Sequence, residues 1–571
     1  MALAVVAVFI AQALTRLIAL VTNLSFFGKF SFDITSPSVN TLGLFVLVVP
    51  VIGGLIVGVM ARYGSKGIRG HGIPEAMEQV LLNESRIPPL MTFLKPLSAA
   101  IAIGTGGPFG AEGPIIATGG ALGSFIGQIF PVAPSERKIL LTAGAAAGMA
   151  AIFGTPVSAV LLSIELLLFE FKARSIIPVA LAAATAAGVR MVFEGSAPVF
   201  EMTNLLQPSG TALSVYILIG AIVGVCSVLV TKSVYAIEDA FEKLPIHWMW
   251  WPALGAIAVG VCGYFVPRTL GVGYNNISDL LSNNMTVGFV AILCGVKFIS
   301  WCISLGSGTS GGTMAPLFTI GGGLGTLFGA LAMWLIPSAG IDLRIAALVG
   351  MAALFAGATR ALLTSVIMAF ETTLQPLGLL PLLGGCTAAY LASSLLMKNT
   401  IMTEKIARRG VKVPSEYSAD QLEQILIRDV ITDTPTTLRT DQTIKEVRNW
   451  VASKAKGSTH QGYPVVDEKG NVLGVLTRRD FLNSELPENT LVHELIHRPP
   501  TAVYDDSTLR EAADHMLNHD VGRLPVLSRT DHRLLGIITR SDVLAGNKAR
   551  LAELTKGERT RSIKELLATK K

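Results

Sequence analysis

The chain has 571 residues, of which 51% are hydrophobic and only 15% are charged, and its mean hydropathy is +0.56. This balance excludes an ordinary soluble protein and indicates a multi-pass membrane protein. The net charge of +6 is modest, so we expect no nucleic-acid partner. Apolar segments continue to about residue 403, after which the chain becomes charged. We therefore predict a membrane domain over residues 1–403, embedded in the lipid bilayer, followed by a cytosolic module.

The first apolar segment, "ALAVVAVFIAQALTRLIALV" from Ala2, carries Arg16 in its middle and has no basic stretch before it. This pattern favours a retained helix over a cleaved signal peptide. Basic clusters at 62–69 and 405–412 suit the cytoplasmic ends of membrane helices. All five cysteines lie in apolar segments, which favours small core residues over disulfides or metal ligands, and we expect no metal site.

The stretch "GTGGPFGAEGP", residues 104–114, interrupts the next apolar region. Between Pro96 and Ser135 the only charged side chain is Glu112. A charged side chain at membrane depth costs roughly 2.5–3.5 kcal/mol and usually has a function. We therefore predict that Glu112 is a gate, with a neutral, hydrogen-bonded core acid as the alternative.

Three segments have a loop rich in glycine followed by a helix with proline near its start. They are "GHGIPEAMEQVLL" from Gly70, "GAEGPIIATGG" from Gly110 and "GGTMAPLF" from Gly311. Proline is tolerated in the first helical turn, and glycine allows close backbone approach. The free N–H groups and positive dipole of a helix N-terminus attract anions. Three such termini would bind an anion without a buried lysine or arginine, and ionised Glu112 would compete for the same place.

The membrane domain repeats itself at an offset of 202 residues. "KPLSAAIAIGTGGPFGAEGP" from Lys95 lies over "KFISWCISLGSGTSGGTMAP" from Lys297, and "GMAAIF" from Gly148 lies over "GMAALF" from Gly350. Two homologous halves, about 1–200 and 203–403, are typical of transporters whose substrate sites lie where interrupted segments meet. The counterpart of "RGHGIPE" is "LGVGYNN", which is preceded by fewer basic residues. This asymmetry would fit a location of the two segments on opposite faces of the membrane.

The charged C-terminal part contains two similar units. "YPVVDEKGNVLGVLTRRDFL" from Tyr463 parallels "LPVLSRTDHRLLGIITRSDVL" from Leu524. Each predicts two short strands and a helix opened by an acid. The predicted boundaries are a linker at 404–426, a first unit at 427–485, a second unit at 490–550 and a basic tail at 551–571.

Together these motifs resemble the CLC family of chloride channels and proton-coupled chloride transporters. "GHGIPE" resembles its GSGIP segment, "GAEGP" its GREGP segment, "GGTMAP" its GxFxP segment and "TIMTEKIARRG" its last pore segment. The C-terminal units resemble a tandem CBS pair. The resemblance implies an all-α polytopic membrane domain of two inverted repeats with an α/β cytosolic CBS module. It also implies a homodimer in the cell membrane, with one pore per subunit and the CBS tail in the cytoplasm.

By this resemblance Glu112 is the gating glutamate, and chloride is bound at helix N-termini. The chain departs from the family pattern at His71 for serine, Met402 for tyrosine, Ala111 for arginine and Met314 for phenylalanine. The backbone donors survive, but the loss of the hydroxyl pair leaves selectivity and the tightness of the inner gate open. His71 either donates to an anion or caps its helix. The implied anion-binding residues are His71, Gly72, Ile73, Gly110, Ala111, Gly113, Thr313, Met314 and Met402.

Proton-coupled family members usually carry a second, inner glutamate after the first repeat's "FGTP". Here "FGTPVSAVLLSIELLLFEF" places Glu165 one residue short and Leu166 at the relay position. We therefore expect a passive voltage- or pH-gated chloride channel, with a chloride/proton antiporter as the alternative. Glu165 and Glu170 remain candidate proton relays, and for Glu165 a hydrogen bond at a helix end is the competing interpretation.

In nucleotide-binding CBS pairs an acid at the position of Asp542 holds the ribose, and residues before "GYPVV" flank the base. An adenine nucleotide is therefore a candidate ligand, no other cofactor is expected, and a dimerisation module without ligand is the alternative. The candidate nucleotide-binding residues are Thr437, His460, Gln461, Thr539 and Asp542.

Other functions are less compatible with the sequence. A fluoride-selective transporter stays open because the inner gate is altered. A CBS-regulated cation transporter, for example for magnesium, would need several oxygen ligands, yet the two repeat cores supply a single acid. We expect no enzymatic activity, because no nucleophile–base or metal-ligand pattern is evident.

Overall fold

The computed structural model describes residues 1–202, 205, 207–411, 413, 422, 425–431 and 435–545. The predicted basic tail at 551–571 and the last residues of the predicted second CBS unit, 546–550, lie outside the described residues. The chain divides into two compact units, Met1–Tyr417 and Ser418–Lys571.

The first unit is built from helices. Within the described residues, eight helical spans are long and apolar enough to cross a membrane. In chain order the α-helices are α1 (Ala2–Phe27), α2 (Val49–Tyr63), α3 (Ile73–Leu82), α4 (Met91–Gly104), α5 (Glu112–Ile129), α6 (Pro134–Phe153), α7 (Pro156–Leu162), α8 (Ala173–Glu194), α9 (Gly210–Glu242), α10 (Trp251–Phe265), α11 (Tyr274–Leu281), α12 (Val287–Gly306), α13 (Met314–Leu335), α14 (Leu343–Thr359), α15 (Leu362–Thr373), α16 (Leu379–Leu396) and α17 (Glu404–Arg408). A π-helical turn, Ser163–Leu168, continues α7.

The two halves of this unit, α1–α8 and α9–α16, repeat the same succession of long and short helices. Equivalent glycines hold equivalent helices together. A Cβ on Gly119 of α5 would lie 2.2 Å from the carbonyl oxygen of Gly144 in α6, and a Cβ on Gly321 of α13 would lie 2.5 Å from that of Gly350 in α14. Such close approach of helix backbones is typical of membrane helices. Gly119 and Gly321, which keep register in the sequence, therefore allow the same close approach of helices in both halves, although their partners in α6 and α14 are not counterparts.

The short helices α3 and α11 both begin directly after a glycine with positive φ. Gly72 has φ 95° and Gly273 has φ 77°, values that favour glycine over residues with a Cβ. Ile73 is therefore the first residue of α3, and Tyr274 holds the same place in α11. The two loops present equivalent first turns to the interior of the unit.

Helix α17 follows the last spanning helix and falls in the predicted linker at 404–426. Lys405 lies 2.8 Å from the carboxylate of Glu75 in α3, and Arg408 pairs with Asp239 in α9. These ion pairs hold α17 against the membrane unit, which extends to Tyr417.

The second unit contains two three-stranded sheets with the same order and pairing. In each sheet the first strand is parallel and the third antiparallel to the middle strand. Each sheet has a register shift at the equivalent place in its middle strand. The strands are β1 (Leu438–Arg439), β2 (Gly462–Val466), β3 (Val472–Thr477), β4 (Val503–Tyr504), β5 (Arg523–Leu527) and β6 (Leu534–Thr539), and the helices are α18 (Ile444–Ala452), α19 (Arg478–Phe481) and α20 (Leu509–Asn518).

Candidate functional site

The interrupted segments of the two halves meet backbone to backbone. The N–H of Gly110 donates to the carbonyl of Gly312 at 3.2 Å, and the N–H of Gly312 donates back to the carbonyl of Gly110 at 2.9 Å. These two glycines are repeat counterparts, 202 residues apart. A residue that exchanges both hydrogen bonds with its own counterpart lies beside a pseudo-two-fold axis. The contact therefore fits inverted repeats with the site at their interface.

The loop before α3 packs against the first turn of α5. A Cβ on Gly113 would lie 2.2 Å from the carbonyl oxygen of His71, and a Cβ on Gly72 would lie 2.6 Å from that of Gly113. Because a side chain at either place would separate the two backbones, both positions require glycine. The structure thus brings the first two predicted anion-binding segments together.

Two helix N-termini lie at the Gly110–Gly312 contact. Helix α5 begins at Glu112 and α13 begins at Met314, so the prolines of both segments lie in first turns as predicted. The first four N–H groups of a helix have no partner within it. Thr313 and Met314 are 2% and 1% exposed, so these donors are in the protein interior. The geometry is suited to an anion held by backbone N–H groups.

The carboxylate of Glu112 occupies this junction. Its residue is fully buried, and one carboxylate oxygen, Oε1, accepts a hydrogen bond from the hydroxyl of Tyr274 at 2.8 Å. The other oxygen, Oε2, is buried without a hydrogen-bond partner. A Cβ on Gly110 would lie 1.7 Å from Oε2 and a Cβ on Gly312 would lie 3.0 Å from it. The acid therefore sits in a cradle that exists because both halves have glycine there.

The inner candidates His71 and Met402 are both buried, at 7% and 0% exposure. His71 lies against the backbone of Ile401, and its Nδ1 atom is buried without a hydrogen-bond partner. The N–H of Met402 donates to the Thr400 hydroxyl at 3.2 Å, so it is already engaged. Of this pair, the imidazole is the group with an unpartnered polar atom, and Nδ1 can donate to an anion only when it carries a proton.

Two buried lysines, Lys95 and Lys297, hold the loops that precede α3 and α11. They are repeat counterparts, and both are almost completely buried. Lys95 donates to the carbonyls of Ile68 and Gly70, both at 2.8 Å. Lys297 donates to two carbonyls of the loop before α11 at 2.9 and 3.1 Å. Each lysine therefore fixes one of these two loops.

Glu165 lies in the π-helical turn after α7 and reaches the other half of the protein. Its carboxylate accepts hydrogen bonds from the N–H of Leu363 and Thr364, each at 3.0 Å, and from the Thr364 hydroxyl at 2.6 Å. Glu371 reciprocates from α15 by accepting from two N–H groups at the start of α7. Glu165 thus accepts hydrogen bonds at the start of α15, as the interpretation of this residue as a helix-end hydrogen-bond acceptor requires. With Leu166 it also lines a cavity of about 830 Å³ that contains Arg360.

The nucleotide-binding candidates lie at strand ends of the second unit. The Asp542 carboxylate accepts from the N–H and the hydroxyl of Thr539, both at 2.8 Å, through one oxygen, Oδ2. Thr437 precedes β1, and His460 and Gln461 precede β2. The structure joins the ends of β2 and β5 through Arg523, whose guanidinium lies where a Cβ on Gly462 would be.

Arg523 was not a sequence candidate, and burial lowers the pKa of its guanidinium while the charge of Asp480 raises it. A partly desolvated cation between the two CBS units suits an anionic ligand. The sequence does not indicate Tyr274 either, although "LGVGYNN" is the counterpart of "RGHGIPE", because the contact with Glu112 spans 162 residues of sequence. Among the residues that the structure describes, no group of three His, Cys, Asp or Glu side chains is arranged to hold a metal ion.

Comparison with known proteins agrees with this architecture. A family model described as voltage gated chloride channel matches residues 52–394, and a CBS domain model matches residues 427–486 and 492–546. The putative chloride channel protein ClcB-like of Ralstonia nicotianae is 28% identical over 366 residues, covering 63% of this chain and 85% of that protein. The H(+)/Cl(-) exchange transporter ClcA of Vibrio parahaemolyticus is 31% identical over 352 residues, covering 59% of this chain and 74% of that protein.

A solved structure shares the fold of the membrane unit. The crystal structure of a slow cyanobacterial Cl−/H+ antiporter aligns with a TM-score of 0.64 at 21% identity, over 72% of this chain and 97% of that one. The predicted fold class is thereby confirmed. Because the family match alone spans more than half of the chain, the protein is a multi-pass membrane member of the voltage gated chloride channel (CLC) family, with a C-terminal pair of CBS domains.

Proposed function

We propose that the protein exchanges chloride for protons across the membrane, as a homodimer whose CBS pair lies in the cytoplasm. Anion transport is the activity of its family. Relatives about 30% identical bear the name H(+)/Cl(-) exchange transporter, which favours exchange over the passive channel expected from Leu166. Homodimer formation and the location of the CBS pair rest on the family resemblance.

The observation that carries the proposal is the place of Glu112. Its carboxylate lies in the glycine cradle between the two halves, at the N-terminus of α5 and beside that of α13. An ionised carboxylate and a chloride ion compete for such a place, because both are monovalent anions attracted by free N–H groups. A proton on Glu112 removes that competition. Proton binding and chloride entry are then linked at one residue.

The proton route from the inner side is the part that departs from the family pattern. Leu166 cannot carry a proton, but its neighbour Glu165 lines the 830 Å³ cavity. The Glu165 carboxylate already accepts a hydroxyl hydrogen bond from Thr364, which is a group able to pass a proton. We therefore place Glu165 in the proton path, with its helix-capping bonds reducing how readily it takes up a proton.

The direct test is transport by the full-length protein in liposomes loaded with chloride and diluted into chloride-free buffer. Exchange predicts that outward chloride movement drives protons inward against their gradient. Chloride efflux without proton uptake would instead establish the passive channel. Fluoride flux that greatly exceeds chloride flux would favour the fluoride-selective alternative, and the absence of any anion flux would reject anion transport altogether.

Replacing Glu165 by glutamine is expected to slow proton uptake about tenfold while chloride efflux continues, because glutamine cannot carry the proton. Its single carbonyl oxygen can keep the capping bonds of only one of the two carboxylate oxygens. The measurement is paired recording of chloride efflux and proton uptake from the same liposomes. Glu371→Gln is the matched control, since it alters the reciprocal cap at α7. Equal proton rates for wild type and Glu165→Gln would remove Glu165 from the path.

We also propose that the CBS pair binds an adenine nucleotide between its two units. Asp542 uses Oδ2 to bond Thr539, so its other oxygen can accept from ribose hydroxyls. Arg523 provides a cation for the phosphates. No nucleotide is needed for the anion site itself, so this ligand would act on transport through the cytosolic unit.

Asp542→Asn is expected to weaken ATP binding by about tenfold or more, because the amide cannot replace a carboxylate that accepts from sugar hydroxyls. Calorimetric titration of ATP into the purified full-length protein measures this. Asp467→Asn is the control, because the Asp467 carboxylate accepts from the N–H groups of Lys469 and Asn471 in a turn of the first CBS unit. Identical affinities in wild type and Asp542→Asn, or no ATP binding to the wild type, would leave the dimerisation alternative.

A further inference from the structure

The only side-chain hydrogen bond to Glu112 among the described residues comes from Tyr274 in the opposite half of the protein. The phenol hydroxyl donates to Oε1 at 2.8 Å. Tyr274 is the first residue of α11, the place that Ile73 takes in α3. The second half therefore supplies a hydroxyl at the position where the first half has an aliphatic side chain. Tyr274 itself lies in none of the three anion-binding segments predicted from the sequence.

The Tyr274 ring packs edge-to-face against two phenylalanines from separate elements. Phe153, at the end of α6, lies with its ring centroid 6.0 Å away at an interplanar angle of 64°. Phe200, in the segment between the halves, lies at 6.2 Å and 63°. Phe200 is itself fixed, because its N–H donates to the carbonyl of Thr372 at 2.9 Å. Edge-to-face packing against two rings restricts rotation of the Tyr274 side chain.

The backbone that carries Tyr274 is braced as well. Lys297 donates to the carbonyls of Thr269 and Gly271, at 2.9 and 3.1 Å. The N–H of Gly271 donates to the carbonyl of Gly106 at 3.0 Å, which ties this loop to the first half. These hydrogen bonds fix the position of the loop that carries the Tyr274 hydroxyl. If Glu112 swings away, Tyr274 stays behind, and the hydrogen bond between them breaks.

A cavity of about 420 Å³ lies beside Tyr274. Its lining includes Tyr274 and Ala111, the residue before the acid, together with the charged groups Arg268 and Glu194. Tyr274 therefore borders this cavity while its hydroxyl bonds the carboxylate of Glu112.

We propose that Tyr274 is the positioning residue of the gate, and that its hydroxyl latches the Glu112 carboxylate in the blocking position. The latch is specific to ionised Glu112 in the blocking position, because a carboxylate accepts a stronger hydrogen bond than a protonated acid does. This inference rests on the proposed function, because it assumes that Glu112 moves during transport.

The experiment is a double-mutant cycle on chloride efflux and proton uptake by the full-length protein in liposomes. In the wild-type background, Tyr274→Phe is expected to raise chloride efflux about three- to tenfold and to lower the number of protons moved per chloride, because the acid leaves the cradle more often. In the Glu112→Ala background the same substitution is expected to change neither rate, since no carboxylate remains to be latched.

Tyr216→Phe is the matched control. Tyr216 is fully buried, and its hydroxyl bonds the backbone of Asp342 instead of a carboxylate. Its loss is expected to leave coupling unchanged. Melting temperatures of all variants, measured in detergent, verify that they are folded, and Tyr274→Leu gives a second test of the latch if Tyr274→Phe is unstable.

Two results would overturn the latch. One is a Tyr274→Phe protein with wild-type efflux and coupling. The other is an equal decrease of chloride efflux in the wild-type and Glu112→Ala backgrounds, which would indicate a structural role for the ring. A wild-type protein that passes no chloride would reject the proposed function instead, so the two failures are distinguishable.

Discussion

Reconstituted protein with Glu112 replaced by glutamine is expected to pass chloride while moving no protons. Glutamine keeps the shape of the side chain and can still accept from the Tyr274 hydroxyl. It has no charge with which to compete for the helix N-termini, and it cannot bind and release a proton. Because coupling depends on both properties, we expect proton uptake to fall below detection. Paired recording of chloride efflux and proton uptake from the same liposomes measures this.

The control for this variant is Glu136→Gln, which removes a half-buried carboxylate at the start of α6. It should leave both rates unchanged. Melting temperature separates a transport effect from a folding effect, and we expect Glu112→Gln to be at least as stable as the wild type. A buried carboxylate with one unpartnered oxygen is costly, and the neutral amide lowers that cost. Proton uptake that persists in Glu112→Gln would show that protons cross without this residue.

Much of the membrane fold could be predicted because its determinants are local. Proline near the start of a helix and glycine before it define the first turns of α3, α5 and α13 within a few residues of sequence. The repeat was detectable because the packing of α5 on α6 and of α13 on α14 requires glycine at equivalent places. Requirements for glycine or proline at particular positions can be recognised in a single sequence.

The partners of the site residues could not be predicted in the same way. Glu165 bonds Thr364, which lies 199 residues away, and no local pattern indicates which helix end that carboxylate reaches. The Tyr274 hydroxyl depends on the loop held by Lys297, so its direction follows from tertiary contacts alone. A tyrosine or lysine in an apolar segment is compatible with many packings, and the fold selects one of them.

The glycines of the cradle allow a second test, in which Glu112 is kept and a methyl group is added to the neighbouring glycine. A Cβ on Gly110 would lie 1.7 Å from Oε2 of Glu112, 2.5 Å from its Cδ and 2.6 Å from Oε1. All three of these nearest atoms belong to the end of one flexible side chain. Gly110 does not have a positive φ, so its backbone accepts alanine. The expected effect is therefore to expel the carboxylate from the cradle without moving the loops.

Gly110→Ala is accordingly expected to raise chloride efflux and to lower proton coupling strongly, with a melting temperature close to that of the wild type. Gly312→Ala is the matched control from the other half. Its Cβ would lie 2.6 Å from the carbonyl oxygen of Gly110 and 3.0 Å from both the N–H nitrogen of Gly113 and Oε2 of Glu112, so backbone must move as well as the carboxylate. Overpacking of this kind costs about 1–3 kcal/mol, and we expect lower stability and reduced flux.

Comparing Gly110→Ala with Gly312→Ala separates an effect on the Glu112 carboxylate from an effect on the backbone. Only at Gly110 do all three atoms nearest to the added methyl belong to the Glu112 side chain. Combining Gly110→Ala with Glu112→Ala should abolish the effect of the first change, since the atoms that it displaces are gone. If Gly110→Ala retains wild-type coupling, the carboxylate does not have to occupy this cradle during transport. If it loses flux in both backgrounds, the methyl obstructs the anion itself, and the cradle is part of the conduction path whether or not the acid enters it.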